Sequence, residues 1–554
     1  MNTKLSTQVL IPLLSIALLL MSYSQLSIFL GGMGSGFGEA FLISIKLECL
    51  LVSIAYYLIF FTLKPNRYRY LLSLLPVLLF YSFYDYYFIS FGKVFKFCDL
   101  SELPELIDVL PIAQLLGYLS VLLVFASIFI LNLQKKRRYF ILPTLSIITT
   151  VVLLNFAPTL YLSLFKSVAK FDPTDWSDEY TAQNGYLSAL FYFEAVMNKA
   201  KQEANQYRDN KTDENQQLQL AQFLADKSNG HNVHIIMLES FFNPKSFSKI
   251  SYNHSPYHEN FLNLLNQQES VVISPVFGGF TAQAEFEVLC GVPALHQYGS
   301  VEFNSFTGKP TFCLPNLLSN YRTVATNSYK PNFFNAPNAN KSMGFKEIYF
   351  PRQYASKSQT YLDLVDKTQF IFDGDLLAQN LEFVKQHKAS DNPKPLLNYV
   401  LGVYGHMPFS LDETRHPLLL KARSHNKNLN AEYQRAINQI VYRTQALAYY
   451  LAQLIKLDPQ SLIIVMGDHV PRLGGTGFYR NMGYRNNSHD SIHKPPAFYI
   501  INGQFIKKQE LHQYDIKRVI FNYLTNNQYC EVYSCQRTKS QLTQDYHNIM
   551  ARAL

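Results

Sequence analysis

Cysteine is scarce and scattered in this chain of 554 residues: there are six, with no CxxC and no paired Cys/His spacing. That pattern excludes a structural zinc site of the usual four-ligand kind. No stripe of Lys and Arg interleaved with aromatic residues occurs either, so nucleic acid is not expected as a partner. Internal repeats are absent. Charged residues make up only 16% of the chain, and the net charge is +9. Part of that excess belongs to two short basic clusters described next, so it reports topology before it reports an anionic partner.

The mean hydropathy of -0.04 averages two unlike halves. Apolar residues crowd into the first 165 positions, where five stretches near 8–30, 39–62, 70–91, 114–133 and 139–165 stand out. Crossing a hydrocarbon core takes about 20 helical residues. The expected fold class is therefore an N-terminal five-helix transmembrane bundle followed by an α/β domain with a mostly parallel central sheet. The first stretch follows Lys4 as a secretory signal would. It is too long for one and leads through Gly31-Gly32-Met33-Gly34 into further spans, so a retained helix is expected. Asp85, within Tyr81-Ser-Phe-Tyr-Asp-Tyr-Tyr, is expected close to water in a Tyr-rich interfacial belt.

Lys64, Arg67 and Arg69 follow the second stretch, and Lys135, Lys136, Arg137 and Arg138 follow the fourth. Basic loops are held on the cytoplasmic side. The intervening loop, with Asp99, Glu102, Glu105 and Asp108 against Lys93 and Lys96, fits the outer side. An odd number of spans then puts everything after 165 outside. The expected division is a transmembrane domain over 1–165, an amphipathic and linker segment over 166–229, and an extracytoplasmic domain over 230–554. Within the linker, 186–199 is apolar on much of a helix surface and suits a position along the bilayer. In the outer domain the close pair Cys530/Cys535 is spaced to form a small disulfide-closed loop.

From 231 onward apolar strands alternate with amphipathic helical patterns, the mark of an α/β domain. Strands are expected at 233–238, 270–274, 322–326, 398–403, 462–466 and 497–501, with a long helix over 431–456. Such sheets place their sites at the carboxyl ends of strands. One apolar run, Val233-His-Ile-Ile-Met-Leu, ends on Glu239, and a second, Leu462-Ile-Ile-Val-Met, ends on Gly467-Asp468-His469. Two buried strands that finish in hard metal ligands suggest one site. A third component is Gly278-Gly279-Phe280-Thr281, followed by an amphipathic run. Thr281 then sits at a helix N-terminus, either as part of an anion site or as a plain N-cap. Glu285 is expected to complement the helix dipole in the first turn.

Leu238-Glu239-Ser240-Phe241, Gly278-Gly279-Phe280-Thr281 with Glu285-Phe286, His406-Met-Pro-Phe409 and Gly467-Asp468-His469-Val-Pro471 together resemble the lipoteichoic acid synthase branch of the alkaline phosphatase and sulfatase superfamily. The chain is similar, less closely, to the phosphoethanolamine transferases that modify lipopolysaccharide. The resemblance implies a multi-pass protein of the bacterial cytoplasmic (inner) membrane with a periplasmic or extracytoplasmic catalytic domain. It implies Thr281 as nucleophile, Glu239, Thr281, Asp468 and His469 around one divalent metal, manganese or zinc, and His406 at the substrate phosphate or leaving group. It further implies a phospholipid donor and an envelope glycan or lipopolysaccharide acceptor, joined through a phospho-threonine intermediate. Phosphodiesterase or sulfatase-like hydrolysis is the alternative. A sulfatase of that superfamily carries a C/S-x-P-x-R context, and Cys313-Leu-Pro315-Asn-Leu317 lacks the arginine. Further substrate contacts are expected at His493, Arg472 and Asn335. Where the family has Trp and Arg, this chain has Phe334 and Ala336. Without that Arg the site lacks a planar, bidentate phosphate donor, so an ethanolamine headgroup fits as well as a phosphoglycerol one.

Overall fold

The computed structural model describes residues 21–29, 32–33, 46–91, 94–100, 112–168, 177–208, 211–265, 268–295, 301–329, 333–350, 370–425, 427–506, 508–533 and 535–554. The chain divides into two compact units, the first running to Glu203 and the second starting at Ala204.

The first unit is helical. Two of its helices, Arg69–Ile89 and Arg138–Phe156, are long and apolar enough to cross a membrane, and Leu47–Thr62 and Leu116–Asn132 are shorter apolar helices. Among the described residues, then, the expected five spans are represented by two long helices and two shorter ones. The first expected span is described only over 21–29, and 39–45, Glu102, Glu105 and Asp108 lie outside the described residues. The last expected span, 139–165, ends early. Its helix stops at Phe156, Ala157 leaves helical geometry at φ -133° and ψ 49°, and Pro158 opens a new helix to Val168. A residue before proline is pushed out of the α region, while proline itself suits a first helical turn.

Asp85 also departs from expectation. It is 5% exposed within this unit and accepts hydrogen bonds from Tyr23 (2.5 Å), from the Met33 N–H (3.2 Å) and from the Tyr186 hydroxyl. Fully buried Glu48 accepts from the Tyr81 hydroxyl and from the N–H groups of Leu187 (3.1 Å) and Ser188 (2.7 Å). It thereby caps the helix Tyr186–Asn205 from a different helix, satisfying N–H groups that have no partner within their own. The apolar face of that capped helix packs through Tyr186 and Leu190 against Val52, Tyr81 and Tyr84.

The second unit is built on a nine-stranded sheet. Its strands are β1 (Val233–Leu238), β2 (Ser270–Ile273), β3 (Arg322–Asn327), β4 (Glu347–Tyr349), β5 (Leu396–Gly402), β6 (Leu462–Gly467), β7 (Pro496–Ile501), β8 (Gln504–Phe505) and β9 (Glu510–His512). The order is β9-β2-β7-β6-β1-β5-β3-β4, with β8 paired to β7. The strands β6, β1, β5, β3 and β4 run parallel, and β7 is antiparallel to both β6 and β2. At the centre, β1, β5 and β6 are buried along their whole length. Strands covered on both faces are written as unbroken apolar runs. The long helix Ala431–Leu457 packs on the helix Asp373–Lys388 and starts where the Asn430 side chain accepts from the Tyr433 N–H at 2.9 Å.

Two disulfides close in this unit, Cys530–Cys535 and Cys290–Cys313. The second ties down the C-terminus of the helix Thr281–Cys290. Lys517 reinforces that end, its Nζ donating to the carbonyls of Cys290 and Phe312, both at 3.0 Å.

Further along the same helix, Glu287 is buried and accepts from the Ala294 N–H at 2.9 Å. Burial pushes its carboxyl up to about 8 from an ordinary 4.5, against the pull of its backbone hydrogen bonds. The folded chain thus holds a proton that the unfolded chain releases between those values, and stability falls as pH rises through that window. Glu287→Gln removes the titration. Its melting temperature relative to the natural chain is expected to climb from pH 5 to about pH 8 and then level off in a thermal-denaturation series.

Candidate active site

Register builds the site. Leu238 of β1 pairs with Gly467 of β6 on one side and Gly402 of β5 on the other. The three strands therefore release Glu239, Asp468/His469 and the segment leading to His406 at one edge. The turn Gly278-Gly279-Phe280 brings in the fourth component. Gly278 has φ +70°, and a Cβ there would come within 2.6 Å of the Arg472 Cβ. Phe280, at φ 64°, is the N-cap position of the helix that begins at Thr281.

Thr281 is therefore not the N-cap. Its Oγ1 points across to Glu239 Oε2 at 2.7 Å and to Asp468 Oδ2 at 2.8 Å. One hydroxyl carries one proton and cannot donate to both. His469 Nδ1 donates to the Val470 carbonyl at 3.0 Å, which leaves Nε2 as the ring atom that can serve a metal. That Nε2 lies 3.3 Å from Glu239 Oε1 and 3.2 Å from Asp468 Oδ2, yet it is buried without a hydrogen bond. Ligand atoms of Glu239, Asp468 and His469 all lie within 4.8 Å of one another. Hard oxygens and an unpartnered imidazole nitrogen aimed at one point fit a single divalent cation.

Without a cation the cluster retains protons that a bound cation would displace. Burial opposes ionisation of Glu239, but the close His469 imidazole above all, then the His406 charge and the hydrogen bond from Thr281, hold its carboxyl well below the usual range. Burial and the Glu239 charge push Asp468 up to about 7. Burial disfavours the charged form of His469, and the charges of Asp468 and Glu239 overcome it, raising the imidazole to about 9.

Other expected residues are distributed unevenly. His406 is half-buried, its Nδ1 on the Met407 carbonyl at 2.8 Å and its ring 5.0 Å from that of Phe370. Gly405, the residue before it, runs so close to Glu239 that a Cβ there would collide with the Glu239 carbonyl oxygen. Arg472 backs the glycine turn ahead of Thr281. His493 is bound to the β2 end, with Nδ1 3.1 Å from the Ser274 carbonyl. Asn335 is committed elsewhere, its amide donating to the carbonyls of Phe303 (2.8 Å) and Phe306 (2.9 Å). Glu285 is not a solvated first-turn carboxylate. It is 6% exposed and accepts from the Tyr399 hydroxyl at 2.8 Å, and burial raises its carboxyl to about 8. Residues missed in the sequence include Ser240, whose N–H donates to Asp468 Oδ1 at 2.8 Å and whose hydroxyl donates to Glu239 Oε1 at 2.9 Å. Gln513 was missed too; its amide donates to the Asp468 carbonyl at 2.8 Å. Only Ser240 carried a signal, its place next to Glu239.

A sulfatase family model matches residues 231–523, more than half of the chain. The chain belongs to the sulfatase family. This sulfatase-family chain is 22% identical over 262 residues to the "Putative cyclic beta-1,2-glucan modification protein" of Rhizobium meliloti, a match that covers 46% of the chain and 37% of that protein. It thus spans well under half the length of that curated relative. Solved structures similar to it include the Streptococcus pyogenes phosphoglycerol transferase GacH in complex with sn-glycerol-1-phosphate, at 16% identity and a TM-score of 0.46, covering 64% of this chain and 93% of that one. The lipoteichoic acid synthase LtaP from Listeria monocytogenes is similar at 17% identity and a TM-score of 0.44, covering 59% of this chain and 77% of that one.

Proposed function

We propose that this sulfatase-family chain transfers a phospho-alcohol headgroup, phosphoethanolamine or phosphoglycerol, from a membrane phospholipid to an envelope glycan through a phospho-threonine intermediate. The observation that carries this reading is the Thr281 hydroxyl held 2.7 Å and 2.8 Å from two buried carboxylates beside an unpartnered histidine nitrogen. Glu239, Thr281, Asp468 and His469 would hold one divalent cation, manganese or zinc, which when bound favours the threonine alkoxide and neutralises charge on phosphoryl oxygens.

The chain's own groups supply the rest. Thr281 Oγ1 is an activated nucleophile at the end of a helix whose first N–H groups face developing negative charge. Its proton passes to an adjacent carboxylate as the bond to phosphorus forms. The bond from phosphorus to the diacylglycerol oxygen breaks, and that oxygen takes a proton from His406. A glycan hydroxyl then attacks the phospho-threonine and gives its proton to His406, the bond from phosphorus to Thr281 Oγ1 breaks, and that oxygen takes back the proton held by the carboxylate, which restores both groups. The name of the Rhizobium relative, a glucan modification protein, supports a glycan acceptor. Membrane spans over the first 165 residues, a linker to 229 and an outward catalytic domain from 230 belong to the same reading, because donor and catalyst then share one membrane surface. A sulfatase reaction through Cys313 is not favoured, since that thiol is closed in a disulfide with Cys290.

The test is intact mass spectrometry of the full chain in detergent, incubated with Mn²⁺ and phosphatidylethanolamine or phosphatidylglycerol. A headgroup adduct absent from Thr281→Ala is the expected result, and its mass names the headgroup. Diacylglycerol release without any adduct would favour hydrolysis instead. Neither adduct nor release from a folded, metal-loaded chain would sink the transferase reading.

A further inference from the structure

Beneath the site lies an ion pair that plays no part in the chemistry proposed above. Arg443, on the long helix, and Asp373, at the start of the helix Asp373–Lys388, are each 1% exposed, with Arg443 Nε 2.7 Å from Asp373 Oδ2. A buried pair of this kind costs desolvation on both sides, and well-packed apolar residues often serve stability as well or better. Its contacts point to a different use. Arg443 Nη2 donates to the carbonyl of Glu239 at 2.9 Å. The N–H on the other side of that same peptide group, belonging to Ser240, donates to Asp468 Oδ1 at 2.8 Å. One peptide plane is thus gripped between Arg443 and a carboxylate of the metal cluster. Ser240 sits at φ 51°, a conformation that costs energy for a residue with a Cβ and persists where surrounding contacts enforce it.

The same pair supports the His406 segment. A Cβ on Gly405 would collide with the Glu239 carbonyl oxygen and come within 2.5 Å of Arg443 Nη1, and one on Gly402 would come within 2.5 Å of Asp373 Oδ1. The guanidinium also lies 5.2 Å from the centre of the Phe241 ring. Two glycines after and within β5 therefore exist as close approaches to this pair.

We propose that Arg443, oriented by Asp373, is a positioning residue. It rotates the Glu239–Ser240 peptide so that Glu239 and Asp468 present oxygens to one cation, and it seats Gly405 so that His406 faces them. This inference rests on the metal-dependent reading of the site. Outer-shell partners of metal ligands typically alter metal affinity by about 10- to 100-fold.

The test is Mn²⁺ titration of the full chain in detergent by isothermal calorimetry, with no turnover involved. Arg443→Lys keeps the charge but loses the planar fork, and Asp373→Asn keeps the shape but loses the charge that orients it. Both are expected to weaken Mn²⁺ binding by about tenfold or more. The control is Asp458→Asn. Asp458, itself buried, pairs with buried His234 (3.0 Å) and half-buried Lys388 (2.7 Å), near the amino ends of β1 and β6 and away from the ligands. It is expected to lower the melting temperature while leaving Mn²⁺ affinity within about twofold of the natural chain. Unchanged affinity in Asp373→Asn, or equal weakening in Asp458→Asn, would overturn the proposal even if Arg443→Lys failed to fold. A natural chain that bound no Mn²⁺ would overturn the metal reading along with it.

Discussion

Thr281→Ala is expected to lower headgroup transfer by about 10⁶-fold, the scale on which removal of a nucleophile acts in enzymes that form covalent intermediates. The prediction is sharp because the structure gives the Thr281 hydroxyl no packing role. It does not cap its own helix, since the cap position is Phe280, and its two close partners are Glu239 and Asp468. Alanine is a good helix former, so the helix Thr281–Cys290 should persist, and melting temperature should change little. Thr281→Ser keeps a hydroxyl and should retain a measurable fraction of the activity. Rates of diacylglycerol release and of headgroup arrival on the acceptor, measured side by side for the three forms, check the prediction. Similar rates in the alanine form and the natural chain would exclude Thr281 as nucleophile.

Asp468→Asn should abolish stabilisation by metal. A ligand present at 100 times its dissociation constant stabilises a fold by about 2.7 kcal/mol, and in the natural chain Mn²⁺ should raise the melting temperature accordingly. Asp468 uses Oδ1 to accept from the N–H groups of Ser240 (2.8 Å) and His469 (2.7 Å), and Oδ2 faces Thr281 and His469 Nε2. Asparagine can keep the first role with its own Oδ1. It places an NH₂ in the second, where a cation needs an anionic oxygen. The fold should therefore survive and the Mn²⁺-induced shift should vanish, a result that differential scanning calorimetry with and without metal reads directly. A persisting shift would move the metal elsewhere.

The parts of this site that were legible in the sequence are those where one stretch of chain carries both a structural and a chemical signal. β1 and β6 are unbroken apolar runs that end on Glu239 and on Asp468/His469, so strand and candidate ligand announce each other. Thr281 followed two glycines and preceded an amphipathic run. By contrast, Arg443 reaches Asp373 across 70 positions and the Glu239 carbonyl across 204. Nothing local distinguishes a buried arginine on a long amphipathic helix from a solvated one. The Cys290–Cys313 bond, 23 residues apart, had no spacing to mark it. β4, β8 and β9 have two or three residues each, too few for a period to show. Asp85 misled because tyrosines around a carboxylate suggest a wet interface, whereas here the hydroxyls of Tyr23 and Tyr186 are what lets the carboxylate be buried.

The Cys290–Cys313 bond bears on how this protein can be made. It fastens the far end of the helix that starts with Thr281, and such bonds form in oxidising compartments, not in a reducing cytosol. A fragment from 230 onward produced in the cytosol would emerge with two thiols there, and the far end of the Thr281 helix would lose its covalent tie. Material for kinetics should accordingly be exported during production or oxidised before use, and a thiol count on the purified chain is the quality control that comes ahead of any activity assay.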